Sequence, residues 1–97
     1  MAAPVPIRRS GRRIPQILAV ELSRPDESVP QEMTLTENVG LHGVRIVTMR
    51  RWLPETRVLV AFRRNSVRSE GRVAYCQRKE TGGFVIGVEL SGQVQAA

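Results

Sequence analysis

Four arginines near the start of the 97-residue chain carry the side chains best suited to binding an anionic ligand. In residues 8–13, RRSGRR, they form two interleaved pairs at a spacing of four, Arg8 with Arg12 and Arg9 with Arg13. A guanidinium is a planar fork of five donors that matches phosphate oxygens and the O6/N7 edge of guanine. The segment therefore predicts a phosphate-bearing or nucleotide partner.

A second candidate is the segment N-V-G-L-H-G, residues 38–43. Asn38 can present its amide to a base edge. Gly40 and Gly43 permit positive φ angles and let a ligand approach the main chain closely. Read alone, the segment is also compatible with an ordinary glycine turn between two strands.

Enzymatic chemistry is not predicted, because the chain has a single histidine, His42, and a single cysteine, Cys76. A structural zinc site needs four ligands, commonly cysteine and histidine. The Gly-Lys-Ser/Thr of a phosphate-binding P-loop is missing, and so are paired carboxylates at a fixed spacing. We predict neither catalysis nor a metal site.

The composition indicates one small, strongly basic domain. The net charge is +6, and fourteen of the fifteen basic residues are arginine, Lys79 being the exception. No apolar run approaches the roughly 20 residues of a membrane span, and no signal peptide is predicted. The lone Cys76 cannot form an internal disulfide, so we expect a reducing cytoplasm.

The hydrophobic pattern has a period of two, which predicts strands separated by turn residues. The predicted strands are 17–22, 32–39, 44–49, 57–62, 67–78 and 84–90, with a bend at Gly71 and a tight turn at 80–83. Closure protects the strand edges of so small a chain, which favours an all-β, six-stranded antiparallel barrel. The predicted division is a flexible basic arm, 1–13, the barrel, 14–91, and a short tail, 92–97.

Taken together, the two motifs resemble those of the PilZ domain family. An Arg-x-x-x-Arg arm stands just before the first strand, and between the second and third strands Asn38-x-Gly40-x-x-Gly43 is similar to the family's Asp/Asn-x-Ser-x-x-Gly motif. The strands at 44–46, 70–75 and 85–90 are also similar to those of the family. The resemblance covers about residues 8–91.

The resemblance implies a barrel that binds cyclic di-GMP, a bacterial second messenger. The positions implied for the ligand are Arg8, Arg9, Arg13, Asn38, Gly40 and Gly43, with Arg12, His42 and Arg45 as further candidates. Arg9 and Arg13 match the family's arginine pair, although Arg8 and Arg12 remain the alternative pair. Gly40 stands where the family has serine, which removes a hydroxyl from the site.

The function implied is that of a bacterial, cytoplasmic receptor or adaptor that changes its arm conformation and signals to an unidentified effector protein. One alternative is a PilZ-like protein-interaction module that has lost nucleotide binding, which Gly40 favours. A second is a basic barrel that binds RNA or DNA, although four aromatic residues are few for base stacking. Trp52 is expected to cover one barrel end, and Tyr75 and Phe84 to lie in the core.

Overall fold

A computed structural model of the chain describes residues 14–26 and 32–94, with the backbone alone for Ile14, Gln93 and Val94. The described residues form seven strands and no helix. The strands are β1 (Ile14–Pro15), β2 (Ala19–Ser23), β3 (Glu32–Val39), β4 (Gly43–Thr48), β5 (Arg57–Phe62), β6 (Val67–Arg78) and β7 (Phe84–Val94).

Six of these strands close into the predicted antiparallel barrel. The order around it is β3-β2-β5-β6-β7-β4, and pairing between β3 and β4 completes the circle. The two-residue β1 pairs with the end of β3, on the same edge that β2 occupies further along. Every neighbouring pair is antiparallel. Because the sheet is closed, every strand of the barrel is paired on both edges.

Most strand bounds agree with the sequence prediction. The predicted bounds of β3, β5 and β6 match the structure, whereas β7 runs on past the predicted end at Leu90. The first predicted strand, 17–22, is displaced to Ala19–Ser23 and preceded by the separate β1. The expected bend at Gly71 coincides with a change of register between Glu70 and Gly71.

The barrel interior is filled mainly by alternate aliphatic residues, as a period of two requires. Its buried members include Val20, Leu22, Val44, Ile46, Trp52, Val58, Val60, Val73, Ile86 and Val88. Trp52, only 5% exposed, packs on this cluster from the connection after β4, which confirms its predicted covering role. Cys76 is partly buried against the same core.

The first edge of the barrel is interrupted between β1 and β2, and the buried Thr36 bridges the interruption. Its hydroxyl donates to the carbonyl of Gln16 at 2.7 Å and accepts from the amide of Leu18 at 2.9 Å. Its own amide donates to the Leu18 carbonyl at 2.9 Å. One threonine thus replaces the ladder bonds that the chain loses where it changes strand.

Left-handed glycine conformations occur in the β6–β7 turn. Gly82 and Gly83 have φ angles of 104° and 76°, and the amide of Lys79 donates to the Gly83 carbonyl at 3.0 Å. This is the tight turn predicted at 80–83. Among the described residues, no helix is long and apolar enough to cross a bilayer.

We expect Thr36→Val to lower the free energy of unfolding by about 1–3 kcal/mol. Valine keeps the volume but leaves the amide of Leu18 and the carbonyl of Gln16 without the hydroxyl. The matched control is Thr81→Val in the exposed β6–β7 turn, with an expected change within about 0.5 kcal/mol. Urea unfolding measures both, and equal effects would contradict the bridging role of Thr36.

Candidate functional site

Asn38 lies near the end of β3, where that strand pairs on both edges. It stands opposite Pro15 of β1 on one edge and opposite Arg45 of β4 on the other. Its side-chain oxygen Oδ1 is buried and accepts no hydrogen bond from the described residues. Buried side-chain oxygens are rarely left unpaired, so this acceptor is suited to a donor from outside the barrel fold.

A register shift next to Asn38 determines which side chains face outward. The ladder to β4 pairs Thr36 with Ile46 and then Asn38 with Arg45, so Glu37 is the extra residue of a bulge. Because Thr36 and Ile46 are buried, Asn38 and Arg45 both face the outside of the barrel. The bulge adds Glu37 to this outer face.

The segment 40–43 is a short turn that joins β3 to β4. The amide of Gly40 donates to the carbonyl of Gly43 at 2.8 Å, and the carbonyl of His42 accepts from the amide of Leu90 at 2.9 Å. Gly40 and Gly43 do not use the positive φ that their residue type permits. The His42 side chain is exposed, so the turn offers backbone and one imidazole to solvent.

Arg45 is held by two partners on the outer face. Its Nε donates to Glu37 Oε1 at 3.1 Å, and its Nη1 donates to the Tyr75 hydroxyl at 3.1 Å. Lys79 Nζ binds the other carboxylate oxygen of Glu37 at 3.0 Å. A tyrosine and a carboxylate therefore orient this guanidinium next to Asn38.

The two cations around Glu37 lower its pKa below the ordinary value of 4.5. The hydrogen bond from Lys79 has the largest effect, the bond from Arg45 acts in the same direction, and partial burial opposes both. Glu37 is therefore ionised at neutral pH, and its charge offsets the positive charges of Arg45 and Lys79.

Tyr75 was expected in the core, and that expectation is wrong. A second register shift, between Val73 and Tyr75, places the tyrosine opposite Gly87, half-buried on the outer face. A Cβ atom added at Gly87 would lie 2.2 Å from the Tyr75 ring, so the glycine makes room for the ring. The sequence does not reveal either bulge, because a bulge is defined by the register with the partner strand.

The structure brings together some of the predicted site residues. Asn38 and Arg45 face each other across β3 and β4, and Gly40, His42 and Gly43 form the adjoining turn. The arm arginines, Arg8, Arg9, Arg12 and Arg13, lie outside the described residues. Glu37, Tyr75 and Lys79 belong to the same surface but were not predicted for it. The register of β3 with β4 reveals Glu37, and that of β6 with β7 reveals Tyr75.

The described surface has the chemistry of a binding site. It offers an amide acceptor, backbone groups of a glycine turn and an oriented guanidinium, which suit a polar ligand with its own donors and anionic groups. Within residues 14–26 and 32–94, no group of three or more histidine, cysteine, aspartate or glutamate side chains could hold a metal ion.

Comparison with known proteins gives one match. Residues 7–96 match the family model of the PilZ domain, which spans the RRSGRR segment, the glycine turn and every strand described above. No curated protein and no solved structure matches the chain.

We expect Glu37→Gln to lower the free energy of unfolding at pH 7 by roughly 0.2–1 kcal/mol, a range suited to a partly exposed ion pair. Since the pKa of Glu37 is lower in the folded chain, its contribution is present above about pH 4.5 and lost as the pH falls through the folded value. The difference from the wild type should therefore vanish in acid.

Urea unfolding from pH 7 to pH 3 measures this difference in the free energy of unfolding, with Glu80→Gln as the exposed control. A difference independent of pH would contradict the ion-pair account.

Proposed function

The chain belongs to the PilZ domain family, and we propose that it is a receptor module for cyclic di-GMP. In this proposal the ligand binds the outer face of the barrel beside Asn38 and the glycine turn. The arm, residues 8–13, closes over the ligand and changes conformation, and an effector protein reads that change.

The observation that carries the proposal is the buried, unpaired Oδ1 of Asn38 at the position of the family's Asp/Asn. Guanine bears an exocyclic amino group that donates hydrogen bonds. An acceptor without a protein partner supports recognition of such a donor. Arg45, held by Glu37 and Tyr75 on the same face, supports the placement of an anionic group nearby.

Chain connectivity supports a role for the arm at the same place. Arg13 precedes Pro15 by two residues, so covalent geometry keeps its Cα within about 7 Å of the Pro15 Cα. Pro15 stands opposite Asn38 in the ladder between β1 and β3. We therefore assign Arg13, with Arg9 and Arg8, to the phosphates and guanine edges of the ligand, and Arg12 as the out-of-phase alternative.

The glycine turn completes the proposed site. Gly40 and Gly43 carry no side chain between the ligand and the main chain, and the exposed His42 lies between them. Cyclic di-GMP has two anionic phosphates, which a basic arm neutralises. PilZ domains are ligand-binding modules, so we propose signalling without catalysis. A bacterial, cytoplasmic setting is part of the same proposal, since the ligand is an intracellular messenger of bacteria.

A protein-interaction module without nucleotide binding is the second candidate function. It is favoured by apolar side chains on the outer face of the first strands: Met33 and Leu35 on β3 are 61% and 49% exposed, and Ile17 is 72% exposed. Contiguous exposed apolar side chains are a feature of protein contact surfaces. RNA or DNA binding is less favoured, because the buried Trp52 offers no stacking platform.

We expect saturable binding of cyclic di-GMP in isothermal titration calorimetry, with a loss of at least about a hundredfold in affinity for Arg9→Ala/Arg13→Ala. The double variant removes several charge-assisted hydrogen bonds, each stronger than a neutral one. Arg8→Ala/Arg12→Ala tests the alternative pair. Arg63→Ala/Arg64→Ala in the exposed β5–β6 turn is the control of equal charge and should bind as the wild type does.

Two results would contradict the receptor proposal. One is the absence of heat and of a thermal shift at millimolar ligand, which would favour the protein-interaction module. The other is equal weakening by the arm variant and by Arg63→Ala/Arg64→Ala, with competition by bulk RNA. That pattern would indicate charge-driven binding of nucleic acid, which also depends steeply on salt concentration.

We expect Gly40→Ser to tighten cyclic di-GMP binding by roughly tenfold, which corresponds to one added hydrogen bond of about 1 kcal/mol. The φ angle of Gly40 is not in the left-handed region, so serine fits its backbone conformation. The same calorimetry measures the gain, with Gly92→Ser on β7 as control, because a Cβ there meets nothing within 4 Å. Unchanged or weaker binding would contradict a ligand contact at residue 40.

A further inference from the structure

A second basic surface lies beyond the opposite end of β4 from the glycine turn. It is a concavity of about 170 Å³ between the end of β2 and the connection that leads to β5. The residues that line it are Arg24, Arg50, Arg51, Trp52, Leu53 and Thr56. Three of the six carry a guanidinium and none carries a carboxylate, so the described lining has a net charge of +3 (three arginines, no acid).

Two of these arginines lack an acidic partner within residues 14–26 and 32–94. Arg24 and Arg51 are exposed and form no ion pair with any acidic side chain that the structure describes. A separate groove, which shares no lining residue with this concavity, is different because its arginines are paired: Arg57 with Glu70, and Arg72 with Glu55 and Glu89. The concavity therefore brings together two guanidinium groups, Arg24 and Arg51, that have no ion-paired acid among the described residues.

An independent observation is the indole of Trp52, which also lines the concavity. The residue is only 5% exposed, yet its Nε1–H has no acceptor among the described residues. Buried donors without an acceptor are uncommon and point to a missing partner. The partner must be an acceptor, because an indole N–H can only donate.

The local hydrogen bonds fix this arrangement. The amide of Arg50 donates to the Thr48 hydroxyl at 3.0 Å. The nearby carboxylate of Glu32 is used internally, because it accepts from the Thr48 hydroxyl and from the amide of Met49. This carboxylate therefore holds the backbone just before Arg50.

We propose that this concavity is a second anion site that binds a single phosphate group of a small phosphorylated compound. Guanidinium forks and an N–H donor suit a tetrahedral oxyanion, and the absence of a lining carboxylate favours a doubly charged one. The volume of the concavity, about 170 Å³, is below the roughly 300 Å³ of typical sites for larger ligands, which favours a small one. The six residues of β4 keep it roughly 20 Å from the glycine turn, so it is separate from the proposed cyclic di-GMP site.

The test uses the indole N–H of Trp52, which gives one resonance because the chain has one tryptophan. Inorganic phosphate is titrated into the ¹⁵N-labelled full chain at constant ionic strength, with chloride as the reference anion. We expect a saturable shift of that resonance with phosphate alone. Arg24→Gln/Arg51→Gln should weaken the binding by at least roughly tenfold, and its other amide resonances report that it is folded.

The control of equal charge is Arg63→Gln/Arg64→Gln, which should bind phosphate as the wild type does. Arg9→Ala/Arg13→Ala should also bind it fully, which separates this site from the arm. Glycerol phosphate should bind as tightly as inorganic phosphate, because the proposed ligand carries an esterified phosphate; binding of the free ion alone would overturn the proposal. A shift that does not saturate, or equal weakening in the control variant, would overturn the proposal.

Discussion

Closure of the sheet through β3 is the constraint on which the rest of the structure depends. This strand pairs with β1 and β2 along one edge and with β4 along the other. Between β1 and β2 the Thr36 side chain supplies hydrogen bonds that the backbone ladder loses. The same strand places Asn38 opposite Pro15 of β1, which directly follows the basic arm in sequence. The pairing that closes the barrel therefore also positions the candidate site.

The sequence predicts the architecture well, because alternation is a direct consequence of a two-sided strand with one buried face. The bounds of β3, β5 and β6 follow from this pattern. What it does not contain is register. The bulges beside Asn38 and before Tyr75 move single residues between faces, and they depend on how β3 pairs with β4 and β6 with β7, which the alternation within one strand does not record. Tyr75 was therefore assigned to the core, and the pairs that Arg45 makes with Glu37 and Tyr75 could not be foreseen.

The arginines of the chain divide into two groups according to their partners. Arg45, Arg57 and Arg72 are paired with carboxylates that neutralise them, and the adjacent acids even raise the pKa of Arg72. Arg24 and Arg51 have no such partner among the described residues. Composition reports only the sum, a net charge of +6. The structure shows that the sum is unevenly distributed, and uneven positive charge is what attracts and orients anionic ligands.

The long hairpin of β6 and β7 has a consequence for how the chain reaches its fold. Its strands join through the Lys79–Gly83 turn, so their pairing is local and needs little loop-closure entropy. The pairs β2–β5 and β4–β7 join segments that are distant in sequence, and such topologies fold on the millisecond-to-second scale. The short turn between β3 and β4 makes their pairing local as well, so we expect both hairpins to form before β2 pairs with β5 and β4 with β7. Until then the outer edges of β4 and β7 are unpaired, and the newly made chain is most prone to self-association in that interval.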